Sequence, residues 1–252
     1  KTLRNSGTIT IPNGVTSVRI FSKPLRSKNC GGGGGAGASS LATARKDDGS
    51  IWSWGDNSTG GLGDNTLTSQ SSPVALAGGH VFVDISPGEG MGGGRKADGS
   101  VWTWGESVGG KLGNNALTDT SSPVAVVGGH IFVELDVGDL SVLARKADGS
   151  VWAWGLGTSG QLGDNSITDK SSPVVVAGGH VFSGISIRRF TSMAIKPDGS
   201  VWTWGQGTNG ALGNNTLVDT SSPVAVVGGH VFVKIASGQA FSTALKDDGS
   251  AW

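Results

Sequence analysis

Tyrosine is absent from this 252-residue chain, cysteine occurs once, methionine twice, and the 19 basic side chains are matched by 19 acidic ones. A single Cys30 excludes an internal disulfide framework and any metal site built from cysteines. Zero net charge removes the long-range field that steers proteins to nucleic acid, so no specific nucleic-acid partner is expected. The one biased region holds Lys1, Arg4, Arg19, Lys23, Arg26 and Lys28 ahead of the first acid, Asp47, and reads as a solvated surface. No apolar run approaches the roughly 20 residues that a membrane helix needs, and no signal peptide is visible. A soluble chain without membrane insertion is expected.

Present in abundance are 45 glycines, without a Gly-X-Y period, and nine tryptophans. Every tryptophan lies in one recurring phrase: IWSWG at 51, VWTWG at 101, VWAWG at 151, VWTWG at 201 and a truncated copy at Ala251-Trp252. The spacing is fifty residues without a gap, which gives four complete units, 51–100, 101–150, 151–200 and 201–250. Within a unit the period is two, so Trp102 and Trp104 share one strand face and Val101 and Thr103 the other. Asp148-Gly149 supplies a tight turn, which pairs VLARK with VWAWG as an antiparallel hairpin. PVAVV and HIFVEL are expected to form a second hairpin about Gly128-Gly129. Four strands per unit, apolar on both faces, need neighbours to cover them, and radial stacking of such units is a β-propeller. The fold class is therefore all-β, a propeller of four-stranded blades over 41–252. It is preceded at 1–40 by a strand pair, Thr8–Ile11 and Val15–Phe21, and the glycine-rich GGGGGAGASS.

Histidine occurs only as His80, His130, His180 and His230, each closing the phrase SSPVxxxGGH. Residues related by a blade rotation spread round a ring and do not converge on a metal, so a structural role at the turn is expected. Other motifs reduce to loop chemistry. G-x-G-x-x-G at 155–160 and 205–210 is not followed by the helix that would hold a pyrophosphate, and Leu112 stands where the P-loop start at 105–111 would need Ser or Thr. Asp164, Asn165 and Asp169 fit no calcium loop and read as turn-forming side chains. Asn57 and Asn214 are glycosylation acceptors only in a eukaryotic secretory setting. No nucleophile–base set presents itself, so neither enzymatic activity nor a cofactor is expected.

The combination of VWTWG, Gly207-Thr208-Asn209-Gly210-Ala211-Leu212-Gly213, SSPV and KxDGS resembles the regulator of chromosome condensation repeat family. That resemblance implies a propeller, commonly of seven blades, used as a binding scaffold. The wording SSPVxVxGGHxF is most similar to the family's bacterial and bacteriophage branch, and the N-terminal segment to glycine-rich modules of phage tails and bacterial surface proteins. These resemblances imply a virion- or cell-surface structural or attachment module that binds protein or a surface glycan. The alternative is an intracellular, cytoplasmic scaffold or a GTPase-regulating propeller akin to a nucleotide exchange factor.

The four copies differ in two stretches. One follows the tryptophans (56–61, 106–111, 156–161, 206–211), and the other is 86–94, 136–144, 186–194 and 236–244. Loops are free to vary and often carry recognition. Glu89, Met91, Asp139, Leu140, Arg188, Arg189, Phe190, Gln239 and Phe241 are the candidate partner-binding residues, with Arg188, Arg189 and Phe190 the most interface-like.

Overall fold

The computed structural model describes residues 41–238 and 241–252. The expected strands Thr8–Ile11 and Val15–Phe21, the glycine run and Gln239 lie outside the described residues. Seventeen strands are described. They are β1 (Leu41–Arg45), β2 (Ile51–Gly55), β3 (Gln70–Ala75), β4 (Asp84–Pro87), β5 (Met91–Arg95), β6 (Val101–Gly105), β7 (Thr120–Ala125), β8 (Glu134–Val137), β9 (Ser141–Arg145), β10 (Val151–Gly155) and β11 (Lys170–Val175). β12 (Gly184–Arg188), β13 (Thr191–Ile195), β14 (Val201–Gly205), β15 (Thr220–Ala225), β16 (Lys234–Ser237) and β17 (Ser242–Leu245) follow.

They form antiparallel sheets in chain order: β1-β2-β3, β4-β5-β6-β7, β8-β9-β10-β11, β12-β13-β14-β15 and β16-β17. The fold is the expected all-β propeller of four-stranded blades, with its three full blades beginning at β4, β8 and β12. The KxDGS hairpin forms as read: Lys146 N–H bonds the Ser150 carbonyl at 2.9 Å, and Gly149 sits at φ 84°. The Asp148 carboxylate accepts Ser150 N–H and Oγ–H at 2.9 and 2.6 Å, and these bonds lower its pKa, as at Asp48, Asp98, Asp198 and Asp248.

The second expected hairpin does not form. β7 is the outer strand of one blade, and β8 opens the next. Between them Val126 N–H bonds Val101 O at 2.9 Å, Phe132 N–H bonds Gly99 O at 2.9 Å, and Val133 N–H reaches Arg145 O at 2.8 Å. The Gly128-Gly129 pair, at φ 97° and 60°, therefore makes a crossing under one blade into its neighbour.

The first strands of successive blades touch one another, which places β4, β8, β12 and β16 round the common axis. Side chains that accept backbone N–H groups fifty-one residues on stitch them together: Ser86 Oγ accepts Val137 N–H (2.9 Å), Asp136 Oδ2 accepts Ile187 N–H (2.8 Å), and Ser186 Oγ accepts Ser237 N–H (3.0 Å). Between blades the cores are aromatic and aliphatic. Trp154 packs with Met91, Leu112 and Phe132, and Trp204 with Leu162, Val176 and Phe182.

Candidate functional site

Strand directions sort each blade's connections onto two ends. One end carries the KxDGS turns and the Gly-Gly crossings, which hardly change between copies. The other carries the hairpin tips 88–90, 138–140 and 188–190 together with the segments that follow the tryptophans. Backbone bonds join these two variable sets. Glu106 N–H bonds Gly90 O (2.9 Å), Leu156 N–H bonds Leu140 O (3.0 Å), and Gln206 N–H bonds Phe190 O (2.8 Å). Two stretches that are separate in sequence thus make one continuous surface.

The invariant end answers the question of the histidines. Each imidazole packs on the first tryptophan of the following copy, with ring centroids 4.5, 4.2, 4.2 and 4.4 Å apart for His80–Trp102, His130–Trp152, His180–Trp202 and His230–Trp252. A lysine ammonium covers the same indoles, at 4.0 Å for Lys96 over Trp102 and 4.1 Å for Lys146 over Trp152. Desolvation, helped by the lysine charge, lowers the pKa of His80, His130 and His180. The carboxylates of Asp164 and Asp169 are also committed locally. Asp169 Oδ1 accepts Gly157 N–H at 2.9 Å, and Asp164 Oδ1 accepts Ser166 N–H and Oγ–H at 3.0 and 2.8 Å.

At the variable end, Lys111 is the keystone. Its side chain is wholly buried, with Nζ 2.5 Å from Glu106 Oε2, 3.0 Å from the Glu89 carbonyl and 3.1 Å from the Asp139 carbonyl. One ammonium therefore ties two neighbouring tips to a post-tryptophan segment. Asp139 is 1% exposed and faces Arg188 Nε at 3.5 Å, which links that tip to the next. Arg189 takes a left-handed φ of 38°, uncommon for a bulky residue, and its guanidinium lies 5.1 Å from the Phe190 ring centre. Just below the tips, burial pushes the Asp136 carboxyl up to about 6. The Ile187 N–H and the Ser86 hydroxyl oppose the shift, Glu134 adds to it, and Arg188 opposes it.

The candidate residues separate on this frame. Glu89, Leu140, Arg188, Arg189 and Phe190 are half-buried at the tips, and Phe241 is 60% exposed. Arg188 and Asp139 face each other, so neither is wholly free to meet a partner. Met91 is a correction: fully buried in the core beside Trp154, it presents nothing to a partner. Strand alternation turns it into the seam. Part of the second variable stretch is likewise packing, since a Cβ on Gly92 would strike the Trp104 indole and one on Gly94 the Phe82 ring. Two residues that organise the end, Lys111 and Asp136, were not among the candidates. The signal for Lys111 was a lysine where the other copies carry Gly61, Gln161 and Ala211.

Among solved structures, human WBSCR16 superposes with a TM-score of 0.72 at 22% identity, covering 81% of this chain and 55% of that one. Yeast RCC1 (Prp20), in its complex with Kap60, gives a TM-score of 0.72 at 19% identity, covering 84% of this chain and 53% of that one. A second structure of Saccharomyces cerevisiae Prp20p gives a TM-score of 0.69 at 18% identity, with 84% of this chain and 55% of that one covered. The chain spans about half the length of these structures. No curated protein sequence matches it. The model of the regulator of chromosome condensation (RCC1) repeat matches residues 48–91, 148–194 and 198–245, more than half of the chain. With the repeat, the blades and the sequence model in agreement, the chain belongs to the regulator of chromosome condensation (RCC1) repeat family.

Proposed function

We propose that this propeller is a non-enzymatic, protein-binding scaffold that reads its partner with the variable end. The observation that carries the reading is the division of sequence variation. The four copies keep the strands, the KxDGS turns and the histidine crossings almost unchanged, and they differ where the tips and post-tryptophan segments meet. A ligand that distinguishes one blade from another has only that end to read. Family membership supports a binding role, and the solved neighbours point to protein partners: one is yeast RCC1 (Prp20) bound to Kap60, another Prp20p described with its binding to Gsp1p and histones. This moves the reading away from the virion- or cell-surface attachment module and the glycan partner expected from the sequence, which the comparisons do not support. It moves toward the scaffold or GTPase-regulating alternative.

The test is surface plasmon resonance of the full chain against Gsp1p and core histones. A variant that replaces the fourth-blade tip with the second tip's sequence (Arg188→Gly, Arg189→Asp, Phe190→Leu) runs in parallel. Loss of a hot spot typically costs about 2 kcal/mol, so affinity should fall roughly thirtyfold. Ile131→Ser, at the invariant end, should leave it unchanged. The reverse pattern would move recognition to the histidine end.

A further inference from the structure

The feet of the inner hairpins, at the opposite end of the strands from the tips, are not all alike. In β4–β5 Asp84 stands opposite Arg95, and in β8–β9 Glu134 stands opposite Arg145, with its Oε2 2.7 Å from the Arg145 Nε. In β12–β13 the acid and the base are lost together. Gly184 stands opposite Ile195, and Ser183 replaces the valine found at 83, 133 and 233. Loss of one partner alone would strand a charge, whereas loss of both leaves neutral space.

That space is an open cavity of about 570 Å³, lined by Glu134, Gly184, Ile195, Val233, Lys234 and Ile235 among others, and its size is that of a small-molecule site. The seam one blade earlier is built from the counterparts of the same segments, and there Glu134 and Arg145 occupy the places of Gly184 and Ile195. The vacancy thus follows from two substitutions inside the repeat.

The missing carboxylate has a bonding role in the sister blade. Glu134 Oε1 accepts the N–H of Ile185 on the next inner strand at 3.4 Å. The counterpart of Ile185 is Ile235, and Gly184 has no side chain with which to meet it. Gly238 N–H bonds Phe241 O across the β16–β17 hairpin, so alternation along the ladder turns the Ile235 N–H away from β17. Lys234 adds a positive charge: its side chain is exposed, and Leu245 stands opposite it in place of an acid. The other ionic groups at the rim are engaged. Glu134 holds Arg145, Asp198 accepts the N–H and the hydroxyl of Ser200 at 2.9 and 2.7 Å, and the Lys196 ammonium lies 4.1 Å over the Trp202 ring.

We propose that this cavity is a binding site for a small aliphatic carboxylate. The carboxylate takes the place of the missing foot acid, where it accepts the Ile235 N–H and pairs with Lys234, and its hydrocarbon body lies against Ile195 and Val233. The site is independent of the protein-binding reading, whose surface lies at the other end of the strands.

The probe is 4-methylpentanoate, titrated into the full chain by isothermal calorimetry. Saturable binding is expected, weakened about tenfold for 4-methylpentanamide, which has the same shape without the charge. Gly184→Glu installs the acid that β8 already carries. A Cβ at that position would meet only Ile195 Cγ2, at 3.1 Å, so the variant should fold, melt at a higher temperature than the parent and no longer bind the acid. Lys234→Glu, a change at an exposed position, should weaken binding at least tenfold or so and carries the test if the first variant fails to fold. Absence of saturable binding would overturn the proposal, as would equal affinity for the acid and the amide, or binding indifferent to a folded Gly184→Glu or to Lys234→Glu. Saturation by acetyl-Gly-Glu-Gly-amide but not by the free acid would also overturn it, because the carboxylate would then be that of a protein.

Discussion

Asp136 stands at a point where packing and polarity pull against each other. Its carboxylate accepts Ile187 N–H and Ser86 Oγ–H and so joins three inner strands, yet burial raises its pKa to about 6, against 3.8 for the free group. Between those values the folded chain holds a proton that the unfolded chain has released. Its contribution to stability is therefore full below about pH 4, declines as the pH rises to about 6, and stays low above that. Asp136→Asn keeps an oxygen for Ile187 N–H and has nothing to titrate. The melting temperature of the variant relative to the parent should climb between about pH 4 and pH 6 and then level off. The five exposed Asp-Ser turns, whose lowered pKa values work in the opposite direction at lower pH, cancel in that difference. A flat difference across the range would mean that the carboxyl is not desolvated. In the sequence, Asp136 was one letter in a variable stretch. Its burial depends on β12, whose Ile187 lies fifty-one positions away.

Elements that rest on local chemistry were legible, and elements that rest on long-range choice were not. The Asp-Gly turns, the alternation of VWTWG and the spacing of fifty residues each have a cause within a few residues, and each formed as read. Gly128-Gly129 was read as a hairpin because two glycines between β-rich runs allow one. What decides against it lies elsewhere, in Val126 bonding Val101 O and in Phe132 bonding Gly99 O. Lys111 makes the same point for a side chain. Nothing near it in sequence marks a buried ammonium, since two of its partners are main-chain carbonyls 22 and 28 residues away. Replacing it with alanine strands those carbonyls and the Glu106 carboxylate without their donor. Removing one member of such a network should cost roughly 2 kcal/mol or more in urea unfolding, moderated by the exposure of Glu106. Lys111→Gln, which copies Gln161, should cost about half as much. Equal stability of both variants and the parent would show that the three contacts do not hold the tips together.

At the scale of the whole molecule, the substantial contacts between blades among the described residues run between neighbours, so stability is close to a sum of blades and seams. That layout makes a seam tryptophan more consequential than any residue within a blade. Trp154 is fully buried between the second and third blades, next to Leu112 and Phe132, with its N–H on the Lys111 carbonyl. Trp154→Phe keeps most of the packing and leaves that carbonyl unpaired, a loss of about 1 kcal/mol. Trp154→Ala opens a cavity at the seam, for which large-to-small core changes typically cost about 3–5 kcal/mol. Because the lost energy belongs to the coupling between blades, the alanine variant should do more than shift the urea midpoint. Residues on the two sides of the seam should unfold at separate concentrations, with amide exchange in β4–β6 uncoupled from that in β12–β14. The phenylalanine variant should keep a single transition at a slightly lower midpoint. If the alanine variant also unfolds in one step, with exchange rates rising together in both groups of strands, the inner-strand stitches through Ser86, Asp136 and Ser186 must carry the coupling, and the indole seams only fill space.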